Sequence, residues 1–414
     1  MATAVAPSQL AGASQSRTEW CSMSTAPLAH DADLARLLDD GYDVVIQQGH
    51  LIVRHIPYVT TGRTIAYGFL TYPVTVSGDT VVSGTDHRIW LGASTPCDEH
   101  GVPLTIAQPE VHQMTATEVA NFMLSSKPAP DGYPDEYSKI TTYVRIVAQH
   151  AQALDPTATA TPGAAWQEVE DDSVFHYRDT ASSRAGLAAL NARYRGQRVV
   201  VVGLGGTGSF IADQMAKIEI DALTLVDGDS FDNHNAFRAP GAPDLAMLRT
   251  RPNKAKYFAD IYSRMHRHVS AVPEFLDVDN VDRILEGATF VFLASDDASS
   301  KKPVIDWLEE HDVPFIDVGM GIEEVDGHLT GLLRVTTSVP GHRDHVRDRG
   351  LIPAAAPGLD DYGRNIQTSD LNCLNGMLAV IRFKRYLGYY ADLTDEGFST
   401  YALSTNEIAN EERR

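Results

Sequence analysis

The sequence predicts an α/β fold, namely a doubly wound, mostly parallel sheet preceded by a small mostly-β domain. Two observations support this. Apolar strand-like runs alternate with helical segments over residues 198–318, the pattern of a parallel sheet with crossover helices. Ahead of them, residues 42–91 form short β-rich runs separated by turn residues. The 414 residues are enough for two or three domains.

We predict four segments along the chain. Residues 1–30 are rich in Ala, Ser and Thr and are expected to form a disordered tail. Residues 31–155 form an N-terminal accessory domain that is β-rich to about residue 110 and helical from 111. A linker, first rich in Pro, Thr and Ala and then acidic, covers 156–172, and the second domain covers 173–414.

The first domain begins with a short helix over 34–41, and Gly41 lies near its C-cap. Turn residues separate the β-rich runs that follow. These runs are Tyr42–Gln47, His50–Tyr58, Thr64–Val76 and Thr80–Leu91.

The second domain begins with a predicted helix, Thr180–Tyr194, and a continuous apolar run, Arg198–Gly203, typical of a buried parallel strand. Glycines at 203, 205, 206 and 208 end that strand and open a helix through Lys217. The remaining predicted elements are the strands Leu223–Val226, Phe290–Leu293 and Pro314–Val318 and the helices Lys301–Glu310 and Met377–Tyr389.

Composition excludes several classes of protein. With 34 Lys and Arg against 55 Asp and Glu, the formal charge is −21, which argues against a general nucleic-acid binder. No apolar stretch is long enough to span a membrane, and the N-terminus does not resemble a signal peptide. The three cysteines form no CxxC pair, so we expect a cytoplasmic protein with neither a disulfide framework nor a structural zinc site.

The glycine motif Gly203, Gly205, Gly206 and Gly208 is by itself weak support for a nucleotide site. Such a motif allows a tight turn and brings a helix N-terminus close to phosphate, but glycines also simply permit a helix to pack on a strand. Asp227 follows the next strand, where a carboxylate can accept hydrogen bonds from a ribose. At this level, a dehydrogenase and an ATP-using enzyme look alike.

The residues beyond Asp227 favour ATP. A triphosphate attacked at its α-phosphorus needs cations on its phosphates and a carboxylate for Mg²⁺. Residues of these types lie at strand ends or in loops that could face the nucleotide. They are Arg238, Lys254 and Asp296; the run that follows Asp227 also contains Asp229 and Asn235.

These residues resemble the ThiF/MoeB/ubiquitin-activating-enzyme superfamily, in which an Asp-x-Asp segment is followed by Asn and Arg, then Lys, then a later Asp. The resemblance covers about 173–390 and implies a Rossmann-like adenylation domain that uses ATP and Mg²⁺. It implies that Asp227 holds the ribose and that Asn235 and Arg238 contact the β- and γ-phosphates. It also implies that Lys254 contacts the α-phosphate and that Asp296 holds Mg²⁺.

Members of this superfamily often dimerise and lend an arginine to the partner's phosphates. Arg184 is our candidate for that role in a homodimer, and a solvated helix arginine is the alternative. The residues 49–59 also resemble the N-terminal module fused to ThiF domains in bacterial ubiquitin-like conjugation operons. The implied partners are therefore a ubiquitin-like protein and a conjugating enzyme, with no nucleic acid and no membrane.

The sequence departs from the family where a nucleophilic cysteine is expected, because residues 319–367 contain none. Cys97 and Cys373 lie elsewhere, and a core role is the simpler interpretation of Cys373. Three mechanisms stay open: direct transfer from the adenylate, a thiol outside the expected loop, or an oxyester on a hydroxyl with His342 or His345 as base. The hydroxyl candidates are Thr336, Thr337, Ser338, Thr368 and Ser369.

We therefore expect ATP-dependent adenylation of the C-terminal carboxylate of a ubiquitin-like protein. One alternative is adenylation of a small molecule, peptide or tRNA base. Another is a non-catalytic nucleotide-binding scaffold.

Overall fold

The computed structural model divides the chain into two compact units, Met1–Glu168 and Val169–Arg414. It describes residues 31–77, 80–83, 86–114, 119–128, 130, 132–163, 165, 173–184, 187–295, 298–352 and 366–412. The predicted tail 1–30, most of the acidic part of the linker and Asp296 lie outside these residues.

The first unit contains two helices and seven strands within the described residues. Asp31 begins the first helix by accepting hydrogen bonds from the backbone N–H groups of Asp33 and Leu34 at 3.0 and 3.2 Å. The elements are α1 (Ala32–Asp39), β1 (Asp43–Gln47), β2 (His50–Val59), β3 (Ile65–Ser77), β4 (Thr80–Ser83), β5 (Ile89–Gly92), β6 (Ala107–Gln113), β7 (Val119–Leu124) and α2 (Glu136–Leu154).

These strands form one antiparallel sheet in the order β1-β2-β3-β5-β7-β6, and β4 pairs with β3. Helices α1 and α2 contribute buried side chains to the core that the sheet forms, including Leu37 and Val147. The unit is therefore a small antiparallel β domain with two packed helices, as the sequence predicts.

The second unit alternates strands and helices up to its fifth strand. Its elements are α3 (Thr180–Arg184), α4 (Ala188–Asn191), β8 (Arg198–Val202), α5 (Gly206–Met215), β9 (Ala222–Val226), α6 (Asn233–Ala236), α7 (Leu245–Thr250), α8 (Lys254–Tyr262), β10 (Val269–Val272), α9 (Val281–Leu285), β11 (Phe290–Leu293), α10 (Ala298–Glu310), β12 (Phe315–Val325), β13 (His328–Ser338), α11 (Asp344–Arg349), α12 (Ser369–Tyr386), β14 (Glu396–Ala402) and β15 (Glu407–Glu412).

The second sheet has eight strands in the order β10-β9-β8-β11-β12-β13-β14-β15. The first five are parallel, and the last three continue the sheet antiparallel. Apolar clusters cover both faces, so β8 is buried throughout its four valines. This topology confirms the predicted doubly wound fold and creates a switch point between β8 and β11, where ligands bind in such sheets.

Several element predictions were wrong. A helix is predicted from residue 111, but residues 111–113 complete β6, residues 119–124 form β7, and the helix begins only at Glu136. The single helix predicted over 180–194 is two short helices and a 3₁₀ turn, Ala192–Tyr194. The predicted strand Thr80–Leu91 is two strands, β4 and β5. The family resemblance implies that the segment 319–367 is the crossover that would carry a nucleophilic cysteine. Part of this segment instead belongs to the long hairpin of β12 and β13.

No helix among the described residues is long and apolar enough to cross a lipid bilayer.

Candidate functional site

A cavity of about 890 Å³ lies at the carboxyl ends of the parallel strands of the second unit. Residues that follow or end β8, β9 and β11 line it, among them Gly203, Asp227 and Ser295. Its volume is in the range of small-molecule sites. The cavity therefore occupies the edge of the sheet where the topology predicts a ligand.

The four glycines of the motif have different structural roles. Gly203 has φ +85°, and a Cβ there would lie 2.6 Å from the backbone nitrogen of Ser295. A Cβ on Gly208 would lie 1.8 Å from the carbonyl oxygen of Gly203, and one on Gly206 would lie 2.2 Å from the Asn372 side chain. Packing thus accounts for these three. Gly205, the N-cap of α5, has open space at its Cβ position and lines the cavity.

Asp227 connects the end of β9 to the glycine loop. Its carboxylate accepts hydrogen bonds from the N–H groups of Leu204 at 2.6 Å and Asp229 at 2.8 Å. Burial raises the pKa of Asp227, and the charge of Lys254 and these hydrogen bonds oppose that rise. The carboxylate predicted to hold a ribose therefore also fixes the loop after β8, a role that the sequence did not indicate.

Lys254 is 7% exposed, and its ammonium group faces two carboxylates that line the cavity, those of Asp227 and Asp229. Its Nζ lies 2.8 Å from Asp229 Oδ2 and 3.9 Å from Asp227 Oδ1. Asn253, the N-cap of α8, positions this lysine, because its Nδ2 donates to the carbonyl oxygens of Asp227 at 2.8 Å and Asp229 at 3.0 Å. The three predicted residues Asp227, Asp229 and Lys254 therefore meet in one place.

Arg238 follows α6 and lines the same cavity. Its Nε is buried and has no hydrogen-bond partner in the part of the chain that the structure describes. Asn235 is 1% exposed and does not line the cavity; its Oδ1 accepts from the N–H of Asp232 at 2.9 Å in a capping box. The Asn235 Nδ2 likewise has no partner within the described ranges. Arg238 therefore lines the site, whereas Asn235 is buried in the short helix α6 and does not reach the cavity.

Lys301 and Arg334 also line the cavity, and they are the two cations of an ion triad that sequence reasoning missed. Asp317 is fully buried in β12, with Lys301 Nζ at 2.6 Å and Arg334 Nη2 at 2.7 Å from its two carboxylate oxygens. Arg334 lies opposite Gly319 in the β12–β13 pairing, and a Cβ on Gly319 would lie 2.5 Å from Nη2. The triad depends on the β12–β13 hairpin, which the sequence did not predict.

Other lining residues also lacked a sequence signal. His234 lies seven residues after Asp227, and burial together with the charge of Arg238 lowers its pKa. Asn372 holds α12 against α5, since its Oδ1 accepts from the Thr207 hydroxyl at 2.9 Å. Phe275, in the loop after β10, completes this group. Only the strand order brings these segments together.

Neither described cysteine has the environment of an activated nucleophile. Cys97 is 1% exposed and packs against Val59, Ala151 and Ala158 in the first unit. Cys373 is half-buried on α12. Burial raises the pKa of both thiols, and a nucleophilic cysteine needs the opposite shift.

Three of the candidate hydroxyls belong to the interior. Thr336, Thr337 and Ser338 are fully buried at the end of β13. His345, a candidate base, has its Nε2 at 2.8 Å from the carbonyl oxygen of Thr337 and so contacts backbone rather than a hydroxyl there. The remaining candidates, Thr368 and Ser369, are half-buried at the start of α12.

Two predicted site residues are not described in full. Asp296 lies outside the described residues, and Arg184 is the last residue of α3, with only its backbone described. Within the described ranges, no group of three or more His, Cys, Asp or Glu side chains could hold a metal ion.

Comparison with protein families divides the chain in two. Residues 178–356 match the ThiF family. Residues 32–180 match DUF6791, a domain of unknown function.

Curated relatives resemble part of the chain. The tRNA threonylcarbamoyladenosine dehydratase of Escherichia coli is 28% identical over 135 residues, which is 31% of this chain and 48% of the relative. Ubiquitin-like modifier-activating enzyme 5 of Drosophila ananassae is 24% identical over 210 residues, 47% of this chain and 52% of the relative. The chain thus spans about half the length of these relatives.

Solved structures show only a distant likeness. PaaA has a TM-score of 0.43 at 18% identity, over 55% of this chain and 76% of its own. Escherichia coli MccB with ATP has a TM-score of 0.43 at 15% identity, over 57% and 72%. The Escherichia coli dehydratase TcdA with AMP has a TM-score of 0.38 at 19% identity, over 51% and 94%.

Proposed function

We propose, since the second unit of this chain belongs to the ThiF/MoeB/ubiquitin-activating-enzyme superfamily, that it adenylates the C-terminal carboxylate of a ubiquitin-like protein with ATP. One observation carries the proposal. The buried carboxylate of Asp227, the open N-terminus of α5 and the cations Arg238 and Lys254 line a single cavity at the switch point of the sheet. The proposed partners are the ubiquitin-like protein and a conjugating enzyme that receives it.

The described residues fit ATP. The buried Nε of Arg238 has no hydrogen-bond partner among the described residues and can donate to a phosphate oxygen. The first N–H groups of α5 have no partner within the helix, and Gly205 leaves the approach to them open. The ammonium of Lys254, now shared between Asp227 and Asp229, can turn to the α-phosphate.

Mg²⁺ would neutralise charge on the phosphates when bound. We propose Asp296 as its ligand, from the family resemblance alone. Of the four described acids that line the cavity, Asp227 and Asp229 are already paired with Lys254, and Glu274 is paired with Arg283; Asp277 is the fourth.

The proposed reaction needs no general base. A carboxylate oxygen of the modifier attacks the α-phosphorus, the bond to the bridging oxygen breaks, and pyrophosphate leaves acyl-AMP behind. A carboxyl group is already ionised near pH 7. Arg238 and Lys254 therefore act by holding the phosphates in line and offsetting the charge that develops.

The environments of the nucleophile candidates support direct transfer of the acyl group from the adenylate. Cys97 and the three hydroxyls of β13 are buried, and burial raises the pKa of both described thiols. An acyl-enzyme on Cys97 or on these three hydroxyls would require local unfolding, and the raised pKa of the half-buried Cys373 disfavours its thiolate. We therefore propose that the acyl-adenylate passes directly to an acceptor on the partner.

The family resemblance also leads us to propose a homodimer in which Arg184 reaches the partner's phosphates. Arg184→Ala and Lys254→Ala would then each inactivate the enzyme. A mixture of the two would regain activity, because one site of each mixed dimer would be intact. Two variants that stay inactive on mixing would contradict a shared site.

The main test is pyrophosphate release by the full chain with ATP, Mg²⁺ and candidate ubiquitin-like proteins. Lys254→Ala and Asp296→Ala should each lower the rate by about 100-fold or more, the usual effect of removing a charge-stabilising group. Lys256→Ala is the matched control, since Lys256 is an exposed lysine on the same helix α8. Unchanged release in the two site variants would refute the site assignment.

A second function, adenylation of a tRNA base, is favoured by the similarity to the tRNA threonylcarbamoyladenosine dehydratase. The charge of −21 opposes it, because a tRNA surface requires a cationic partner. Total tRNA in place of the protein substrate provides the discriminating arm of the same assay. Pyrophosphate release with tRNA alone would select this alternative.

A further inference from the structure

Phe275 is an aromatic side chain that is 65% exposed at the cavity that Asp227 lines. It belongs to the run 274–278 that follows β10 and lines the cavity as a continuous segment. Its ring lies against Gly228, where a Cβ would come within 2.6–2.7 Å of three ring atoms. Any side chain at position 228 would therefore displace the ring.

The loop that carries Phe275 is fixed by side chains rather than left loose. Asn280 donates from Nδ2 to the carbonyl oxygen of Phe275 at 2.8 Å and accepts from the N–H of Asp277 at 2.9 Å. Arg283 pairs with Glu274 at 2.6 Å. A preorganised aromatic surface binds a flat ligand with little loss of conformational entropy.

Strand order determines what can reach this ring. In the proposed nucleotide pose, the phosphates lie at the N-terminus of α5, which follows β8, and the ribose lies at Asp227, which follows β9. Strand β10 is the neighbour of β9 on the side away from β8. The base therefore extends from the ribose towards the loop after β10, and Phe275 lies in that loop.

We propose that Phe275 and Gly228 form a nucleobase subsite, in which the base stacks on the Phe275 ring. This inference rests on the proposed function, because the direction of the nucleotide comes from the phosphate and ribose assignments. Gly228 lets the ring lie flat against the backbone next to Asp227, and Val278, also exposed at the cavity, adds apolar surface beside it. Stacking of this kind is tolerant of the base, so it supplies affinity rather than choice among bases.

The test measures dissociation constants of the full chain for ATP and for inorganic tripolyphosphate, which has no base. Phe275→Ala should weaken ATP binding by about 5- to 150-fold, the range of base–aromatic stacking, and leave tripolyphosphate binding unchanged. Phe275→Trp should retain ATP affinity, and ATP should quench its fluorescence while tripolyphosphate does not. Phe237→Ala, which removes a phenylalanine that is 84% exposed and does not line the cavity, is the matched control.

A second variant tests the same contact from the other side. Gly228→Ala should weaken ATP binding as Phe275→Ala does, because the added methyl group pushes the ring away. Equal ATP affinity in wild type and Phe275→Ala would overturn the subsite, as would an equal loss for ATP and tripolyphosphate. Failure of the wild type to bind ATP would instead overturn the proposed function, and the subsite with it.

Discussion

Removal of the Asp227 carboxylate should release the glycine loop even when no nucleotide is bound. In Asp227→Ala, the N–H groups of Leu204 and Asp229 lose acceptors now at 2.6 and 2.8 Å. The two losses differ, because Leu204 is 1% exposed whereas the backbone next to Asp229 is partly exposed. Water can replace the acceptor of the Asp229 N–H but not that of the Leu204 N–H.

The magnitude follows from these environments. A buried donor left without an acceptor costs about 1–3 kcal/mol. The substitution also removes the desolvation cost of a buried carboxylate, which is the cause of the raised pKa of Asp227. We therefore expect a net local destabilisation in the lower part of that range, about 1 kcal/mol, equivalent to an about 5-fold larger population of the open loop.

Hydrogen exchange followed by mass spectrometry on peptides that cover 203–209 measures this opening directly. Asp227→Asn should show a smaller increase, since the amide oxygen can still accept from Leu204. The control is Asp221→Ala, because the Asp221 carboxylate accepts from the N–H of Gly196 at 3.0 Å, away from the cavity. Exchange of the 203–209 peptides in Asp227→Ala at the wild-type rate would refute the role assigned to this carboxylate.

Three further predictions test the packing and the chemistry. Gly208→Ala should destabilise the second unit and abolish ATP binding, because its Cβ would lie 1.8 Å from a carbonyl oxygen; a wild-type melting temperature would contradict this. Asp317→Ala should cost about 3–5 kcal/mol in urea unfolding, because it leaves the buried Lys301 ammonium without its carboxylate and removes the carboxylate partner of the half-buried Arg334. Asp306→Ala, which breaks an exposed pair with Lys302 at 2.8 Å, should stay within about 0.5 kcal/mol, and equal effects would refute the distinction. The double variant Cys97→Ser, Cys373→Ser should release pyrophosphate at the wild-type rate and form as much AMP-carrying modifier as the wild type. A reductant-sensitive enzyme–modifier adduct that is lost in this variant would instead establish a thioester.

The parallel part of the second sheet could be predicted from sequence because each strand is locally marked. An apolar run such as 198–202 is buried on both faces, and a turn or capping residue follows it. Asp227, which directly follows β9, and Lys254, the first residue of α8, could be identified from their residue types and their order along the chain. Their meeting at one cavity then follows from the topology of a doubly wound sheet.

The rest of the site could not be predicted, because it depends on pairing rather than on local pattern. Asp317 and Arg334 meet only through the β12–β13 register, in which Gly319 lets the guanidinium cross the strand. Residues 119–124 alternate weakly and were assigned to a helix, yet pairing with β5 and β6 makes them a strand. Asp227 likewise fixes the loop after β8 through a hydrogen bond from the N–H of Leu204, which lies 23 residues earlier in the chain.

The most direct test of the proposed adenylation is mass spectrometry of the products from the full chain, ATP, Mg²⁺ and a ubiquitin-like protein with a free C-terminus. We predict a modifier that carries AMP on its terminal carboxylate, is cleaved by hydroxylamine, is unaffected by reductant, and is missing with Lys254→Ala but present with Lys256→Ala. A modifier left unmodified, or one that carries AMP equally with both variants, would contradict the proposed function and its site.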